Sequence, residues 1–300
     1  MSLLEPRYDQ STYTGRLQHF FDITNPLNLF NSQETLEKAK MKVLDYENSS
    51  KKGLITEDLW TASKLYKSNF HPDTQELIFA PFRMSSFVLT NFPVILGMMM
   101  PNPSVKGIIF WQWLNQSVNV GFNYHNANKS TILTTNEILT AYCAAVATSV
   151  GVALSLNALH KTGKLPASLG KFVPFIAVAT AGTANLCLMR QKEVQDGITV
   201  YKDNKAIGKS QVAAKYAIGQ TAFSRVIAAM PSMVIPPIIM GYVHAKPMTT
   251  RLVHAGLIGT CMGIGLPLAI SLFDQKASIK GSSLEPQFQL FDKLTFNRGL

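Results

Sequence analysis

Five side-chain amides, Gln112, Asn115, Gln116, Asn119 and Asn123, recur at spacings of three and four in an otherwise apolar, aromatic-rich stretch, residues 108–124. On a helix that spacing stacks them into one stripe. Primary amides both donate and accept hydrogen bonds and carry no charge, so the stripe suits a small zwitterionic solute. Asn115, Asn119 and Asn123 are the candidate substrate contacts within it. Thr183 and Asn185 add polar groups to a second apolar stretch. There, hydrogen bonding between helices is the competing reading. Arg225 stands at the edge of a third. It either snorkels to a membrane interface or meets a substrate carboxylate. His71-Pro72-Asp73-Thr74, followed by Glu76, has the spacing of a capping box with Asp in the Ser/Thr role. Its plain reading is a helix start; its functional reading is a gate or contact at the membrane edge.

These residues need apolar elements to hold them. Five segments free of Asp, Glu, Lys and Arg lie near residues 84–101, 138–159, 172–189, 226–243 and 252–273. A helix of about 20 residues crosses the hydrocarbon layer, and lipid admits only segments that satisfy their own backbone. The expected fold is therefore all-α: a polytopic membrane helical bundle with about five transmembrane helices over residues 84–275. Residues 108–124 form an amphipathic or re-entrant segment in it. Pro231, Pro236 and Pro237 interrupt the fourth segment, and broken spans expose backbone groups of the kind transporters use for binding. Residues 1–83 read as an N-terminal soluble or interfacial helical region. Ser32 caps a helix to about Glu47, and a second helix runs from Thr56 to about Lys67. Residues 276–300 read as a C-terminal tail.

Composition narrows the function classes. The 300 residues carry a net charge of +10, yet only 15% are charged and mean hydropathy is +0.11. The positive balance suits anionic lipid rather than nucleic acid, because no basic folded domain is evident. The N-terminus has neither an apolar signal core nor the Arg-rich, acid-poor pattern of a transit peptide, so no cleaved presequence is expected. Cys143, Cys187 and Cys261 lack metal-ligand spacing and read as small core residues. No nucleophile elbow, phosphate loop, dinucleotide fingerprint or zinc-protease motif is present, so the chain does not read as an enzyme, and no cofactor or metal site is expected.

His71-Pro72-Asp73-Thr74, Pro81-Phe82-Arg83-Met84-Ser85, Pro101-Asn102-Pro103, the run Phe110 to Ser117, Ala181-Gly182-Thr183-Ala184-Asn185, Gln195-Asp196-Gly197-Ile198 and Ser224-Arg225 occur in order along the chain. Together they resemble the sideroflexin family, over nearly the whole sequence. The resemblance implies a multi-pass protein of the mitochondrial inner membrane that carries serine and other small neutral amino acids into the matrix, feeding one-carbon metabolism. Membrane lipid, cardiolipin included, is the expected surrounding partner; the oligomeric state is not implied. Two alternatives stay open: a tricarboxylate (citrate) carrier, and a non-transporting scaffold or assembly factor acting indirectly on iron homeostasis.

Overall fold

The structure, a computed structural model, describes residues 2–49, 53–71, 74–126, 134–202, 205–274 and 276–298. In chain order the helices are α1 (Tyr13–Thr24), α2 (Gln33–Asn48), α3 (Glu57–Asn69), α4 (Phe87–Met98), α5 (Val105–Asn126), α6 (Thr135–Lys161), α7 (Ala167–Gly170), α8 (Val173–Met189), α9 (Gln191–Asp196), α10 (Gln211–Met233), α11 (Ile235–Met240) and α12 (Pro247–Ile270). Four strands join them: β1 (Ile198–Lys202), β2 (Lys205–Ser210), β3 (Lys276–Ile279) and β4 (Leu294–Asn297). The chain forms two compact units, Met1–Ile132 with Pro231–Ser271, and Leu133–Met230 with Leu272–Leu300.

In the first unit the N-terminal helices form where local chemistry directs them. Ser32 accepts from the Thr35 amide to cap α2, and Thr56 accepts from the Leu59 amide to cap α3. Glu34 and Lys38 pair at 2.6 Å on the exposed face of α2. The apolar faces meet each other: Leu36, Ala39 and Val43 pack with Ala62, Tyr66 and Phe70, and Leu3 closes the cluster. The Glu47 carboxylate pins the start of the chain by accepting from Ser2 Oγ and the Leu3 amide. The α1 helix lies against α12, where Arg16 Nε donates to the Ser271 carbonyl at 2.8 Å.

The α4 and α5 helices pack as a pair, and α4 also packs on α12. The α4–α5 contact depends on Gly97, where an added Cβ would lie 2.2 Å from the Trp111 ring. Gly97→Ala is therefore expected to destabilise the detergent-solubilised protein by about 1–3 kcal/mol, the usual cost of overpacking. Gly256→Ala on α12, with nothing within 4 Å of the new Cβ, is the matched control. Equal unfolding midpoints for the two variants would refute the close contact.

The second unit holds α6 against α8 along small residues, Ala141, Ala145, Ser149 and Ala153 on one and Ala177 and Ala181 on the other, all buried. It also holds an antiparallel sheet of order β2-β1-β4-β3, which an all-α reading lacks. Val200 and Phe296 pair across β1 and β4, and Ala277 pairs with Phe296 across β3 and β4. Their side chains, with Leu284, Phe288 and Leu294, bury against Ala213 and Ala217 of α10. Residues 276–298 are thus part of a core rather than a loose tail.

Glu285 joins this layer to α10. Its carboxylate accepts from Ser210 Oγ (2.7 Å) and from the amides of Gln211 (2.8 Å) and Val212 (3.0 Å), where the helix starts. Partial burial alone would raise the carboxyl; the hydrogen bonds from Ser210, Val212 and Gln211 outweigh it and hold it below the usual glutamate range. A depressed folded value stabilises above the unfolded one, about 4.3, and that stabilisation is lost as pH falls through the folded value. Proteolysis of residues 276–298 is therefore expected to accelerate below about pH 4 in the wild type. In Glu285→Gln it should be fast at every pH; identical profiles would show the clamp to be unimportant.

Among the described residues three helical stretches are long and apolar enough to cross a membrane: Thr135–Lys161, Gln211–Met240 (α10 with α11) and Pro247–Ile270. The first and third expected segments form shorter apolar helices, Met84–Met98 and Val173–Met189. Pro101 and Pro103 flank Asn102, which has φ 50°, so the chain leaves α4 early. Pro174 sits in the first turn of α8 and fixes its start. The interruption of the fourth segment falls at Val234. Pro231 stays inside α10, while Pro236 and Pro237 remove the amides that would bond back to residues 232 and 233. The cysteines are not core residues: Cys143 and Cys187 are exposed and Cys261 is half-buried.

Candidate functional site

The α5 helix is uninterrupted from Val105 to Asn126, so the five amides share one helical element. It is fixed at both ends. Trp111 rests on Gly97 near the start. Near the end His125 stacks on Phe82 with ring centroids 4.7 Å apart, and Asn126 Nδ2 donates to the carbonyls of Phe82 and Phe122. Ile109, Phe110 and Trp113 point outward, whereas Gln112, Asn115 and Gln116 are buried. Asn119 and Asn123 are half-buried.

Two of the buried amides are unsatisfied among the described residues: Asn115 Nδ2 and Gln116 Nε2 have no hydrogen-bond partner there. A buried donor without a partner costs about 1–3 kcal/mol. Both lie on a helix that is held at its two ends. Asn91 on α4, also buried, is already committed through Nδ2 to the Phe87 carbonyl. Gln112 and Gln116 are buried on the same helix as the three asparagines; their signal in the sequence is the four-residue step that continues the stripe.

The other candidates lie in the second unit. Thr183 Oγ1 donates to the Ala179 carbonyl at 2.9 Å, one turn back on its own helix, so its proton is taken. Asn185 is buried and its Oδ1 has no partner among the described residues. Arg225 on α10 is exposed in the isolated chain and makes no hydrogen bond or ion pair among the described residues. Its neighbour Arg190 is fully engaged, by Glu193, Thr221 and the Arg298 carbonyl. The candidates therefore divide, Asn115, Asn119 and Asn123 in one unit and Thr183, Asn185 and Arg225 in the other.

Of the motif at residues 71–74, His71 and Thr74 are described, Thr74 in a turn. Pro72 and Asp73 lie outside the described residues. His71 is buried; its Nδ1 accepts from the Thr74 amide, its carbonyl accepts from the Gln75 amide, and its own amide donates to the Glu76 carbonyl. Phe70 and Leu77 pair across the base. No helix begins here: Gln75 has φ 58°, in the left-handed region, which a right-handed helix cannot continue through. Among the described residues no three His, Cys, Asp or Glu side chains cluster as metal ligands.

The sequence matches the family model described as Sideroflexins over residues 2–300. The chain belongs to the sideroflexins. Relatives cover it end to end: sideroflexin fsf1 of Schizosaccharomyces pombe is 45% identical over 98% of this chain and 97% of its own length. Sideroflexin-1 of Sus scrofa is 40% identical over 100% and 98%. Sideroflexin-5 of Rattus norvegicus is 38% identical over 99% and 91%. No solved structure matches this sideroflexin. The family match takes in both units and every candidate residue from 71 to 237.

Proposed function

We propose that this protein carries serine and other small neutral amino acids across the mitochondrial inner membrane into the matrix, in support of one-carbon metabolism. The observation that carries the proposal is the pair of unpartnered buried donors, Asn115 Nδ2 and Gln116 Nε2. A zwitterionic amino acid presents a carboxylate that accepts from such amides, an ammonium that donates to amide oxygens, and little net charge to desolvate. Asn119 and Asn123 continue the polar face along α5. Considered by itself, the second unit offers a buried acceptor at Asn185 Oδ1 and, in Arg225, a cation with no ion pair among the described residues. A trivalent anion needs several available cations, and Arg190 is already saturated, so citrate fits less well. Kinship to the sideroflexins supports the mitochondrial setting, and the uncharged polar face supports the substrate class.

The test is uptake of labelled L-serine into liposomes containing the purified protein. Saturable uptake, competed by alanine and not by citrate, is the expected result. Competition by citrate with loss of transport in Arg225→Gln would establish the anion carrier instead. Absence of uptake by folded, inserted protein would leave the scaffold reading.

A further inference from the structure

A cleft of about 180 Å³ lies in the first unit between α1 and α3, far in sequence from the amide stripe. Its walls bring together Arg7 from the N-terminal arm, His19 and Asp22 from α1, and Trp60, Lys64 and Lys67 from α3. Lys64 and Lys67 are three apart and so share a helix face. We propose that this cleft binds the phosphate group of a ligand, Lys67, Lys64 and His19 supplying its contacts.

The charge balance of the walls supports the assignment. Arg7 forks the Glu57 carboxylate at 2.8 and 2.5 Å and lies over the Trp60 ring. Lys64 lies 3.9 Å from Asp22. Lys67 is different: its Nζ donates to the Glu5 backbone carbonyl at 2.5 Å, and among the described residues no carboxylate lies within 4 Å of it. The cleft therefore holds one half-buried cation that makes no ion pair among the described residues, Glu47 and Glu5 acting on it only from farther away. Burial pushes Lys67 down to about 8, against the opposing pull of Glu47 and Glu5. Burial and the nearby Lys67 charge push His19 down to about 4. Two adjacent bases whose charged forms are both disfavoured are what an anion between them would reverse.

Geometry selects the anion. A carboxylate is best met by the planar fork of an arginine, and the Arg7 fork is occupied by Glu57. The remaining donors are ammonium groups and an imidazole on two different helices, point donors that suit a tetrahedral oxyanion. Tyr8 and Trp60 line the same cleft, with Arg7 over one face of each ring.

The test is calorimetric titration of sodium sulfate and sodium phosphate into the full-length protein in neutral detergent at constant ionic strength. Sulfate keeps its charge between pH 7 and 9, so its pH dependence reports the protein. Saturable binding is expected, weaker by about tenfold at pH 9 than at pH 7 as Lys67 loses its proton. Lys67→Gln should weaken binding at least about tenfold and Lys67→Arg should restore it. Should Lys67→Gln not fold, His19→Gln serves: it should remove the proton taken up on binding, read as the buffer dependence of the enthalpy. Absent saturable binding, wild-type affinity in folded Lys67→Gln, or a pH-independent affinity would each overturn the proposal. Nanodiscs containing phosphatidylglycerol separate the sources. Tenfold weaker sulfate binding there than in detergent assigns the cleft to a lipid headgroup, and unchanged binding assigns it to a soluble phosphate compound.

Discussion

Leucine at positions 115 and 116 is expected to abolish saturable L-serine uptake while leaving the protein at least as resistant to unfolding. The two halves of that expectation come from one fact, that Asn115 Nδ2 and Gln116 Nε2 are buried without partners. Replacing an unsatisfied buried polar group by an apolar one of similar size removes a desolvation cost, so stability holds or rises. If those donors receive the substrate carboxylate, each lost bond to a charged acceptor is worth about 1.5–3 kcal/mol, or roughly 10- to 100-fold in uptake efficiency. Asn119→Leu and Asn123→Leu, at half-buried positions, should cost less in transport. The readouts are initial uptake rate and thermal midpoint on the same preparations. Undiminished uptake by well-folded Asn115→Leu/Gln116→Leu would remove the stripe from the site. A collapse in stability would mean that the amides hold the helix pair together.

The parts of this fold that were legible in the sequence are those decided by neighbours along the chain. Ser32 and Thr56 announce α2 and α3 because an N-cap acts within one turn. The amide stripe was legible because helical spacing alone places Gln112, Asn115, Gln116 and Asn119 on one face, and α5 is a single helix. What escaped depended on distant partners or on one backbone angle. The strands are short and come from two segments distant in the chain, so Val200 gains its meaning only from Phe296. The capping-box pattern rests on Asp73, which lies outside the described residues; what a glutamine does not advertise is the φ of 58° at Gln75, which keeps residues 74–76 out of a helix. Five charge-free segments promised about five spans, yet Asn102 and Pro174 trim two of them to shorter helices, so length rather than hydropathy sets them apart. The phosphate cleft was invisible for the same reason as the sheet: Arg7, His19 and Lys67 meet only after α1 has folded onto α3.

Arg190→Met is expected to destabilise the second unit by about 2–4 kcal/mol, the largest single stability loss among the substitutions considered. Arg190 follows the last residue of α8 and ties three elements with one guanidinium. Nε and Nη2 fork Glu193 at 3.0 and 2.5 Å, and Nη1 donates to the Arg298 carbonyl at 2.6 Å and to Thr221 Oγ1 at 3.4 Å. Its side chain is only 11% exposed, so water replaces little of what is lost. Methionine keeps the aliphatic stem, which confines the loss to the polar contacts. The half-exposed Glu193 carboxylate recovers some solvation, which sets the figure below that for a fully buried pair. The decisive measurement is a double-mutant cycle with Glu193→Gln. If the fork carries most of the loss, Arg190→Met/Glu193→Gln is much less damaging than the sum of the single changes. If the bond to the Arg298 carbonyl carries it, the two losses add, and residues 276–298 become protease-sensitive in Arg190→Met but not in Glu193→Gln. The second pattern would make Arg190 the residue that closes the chain's end onto α10, through Thr221 and Arg298 together.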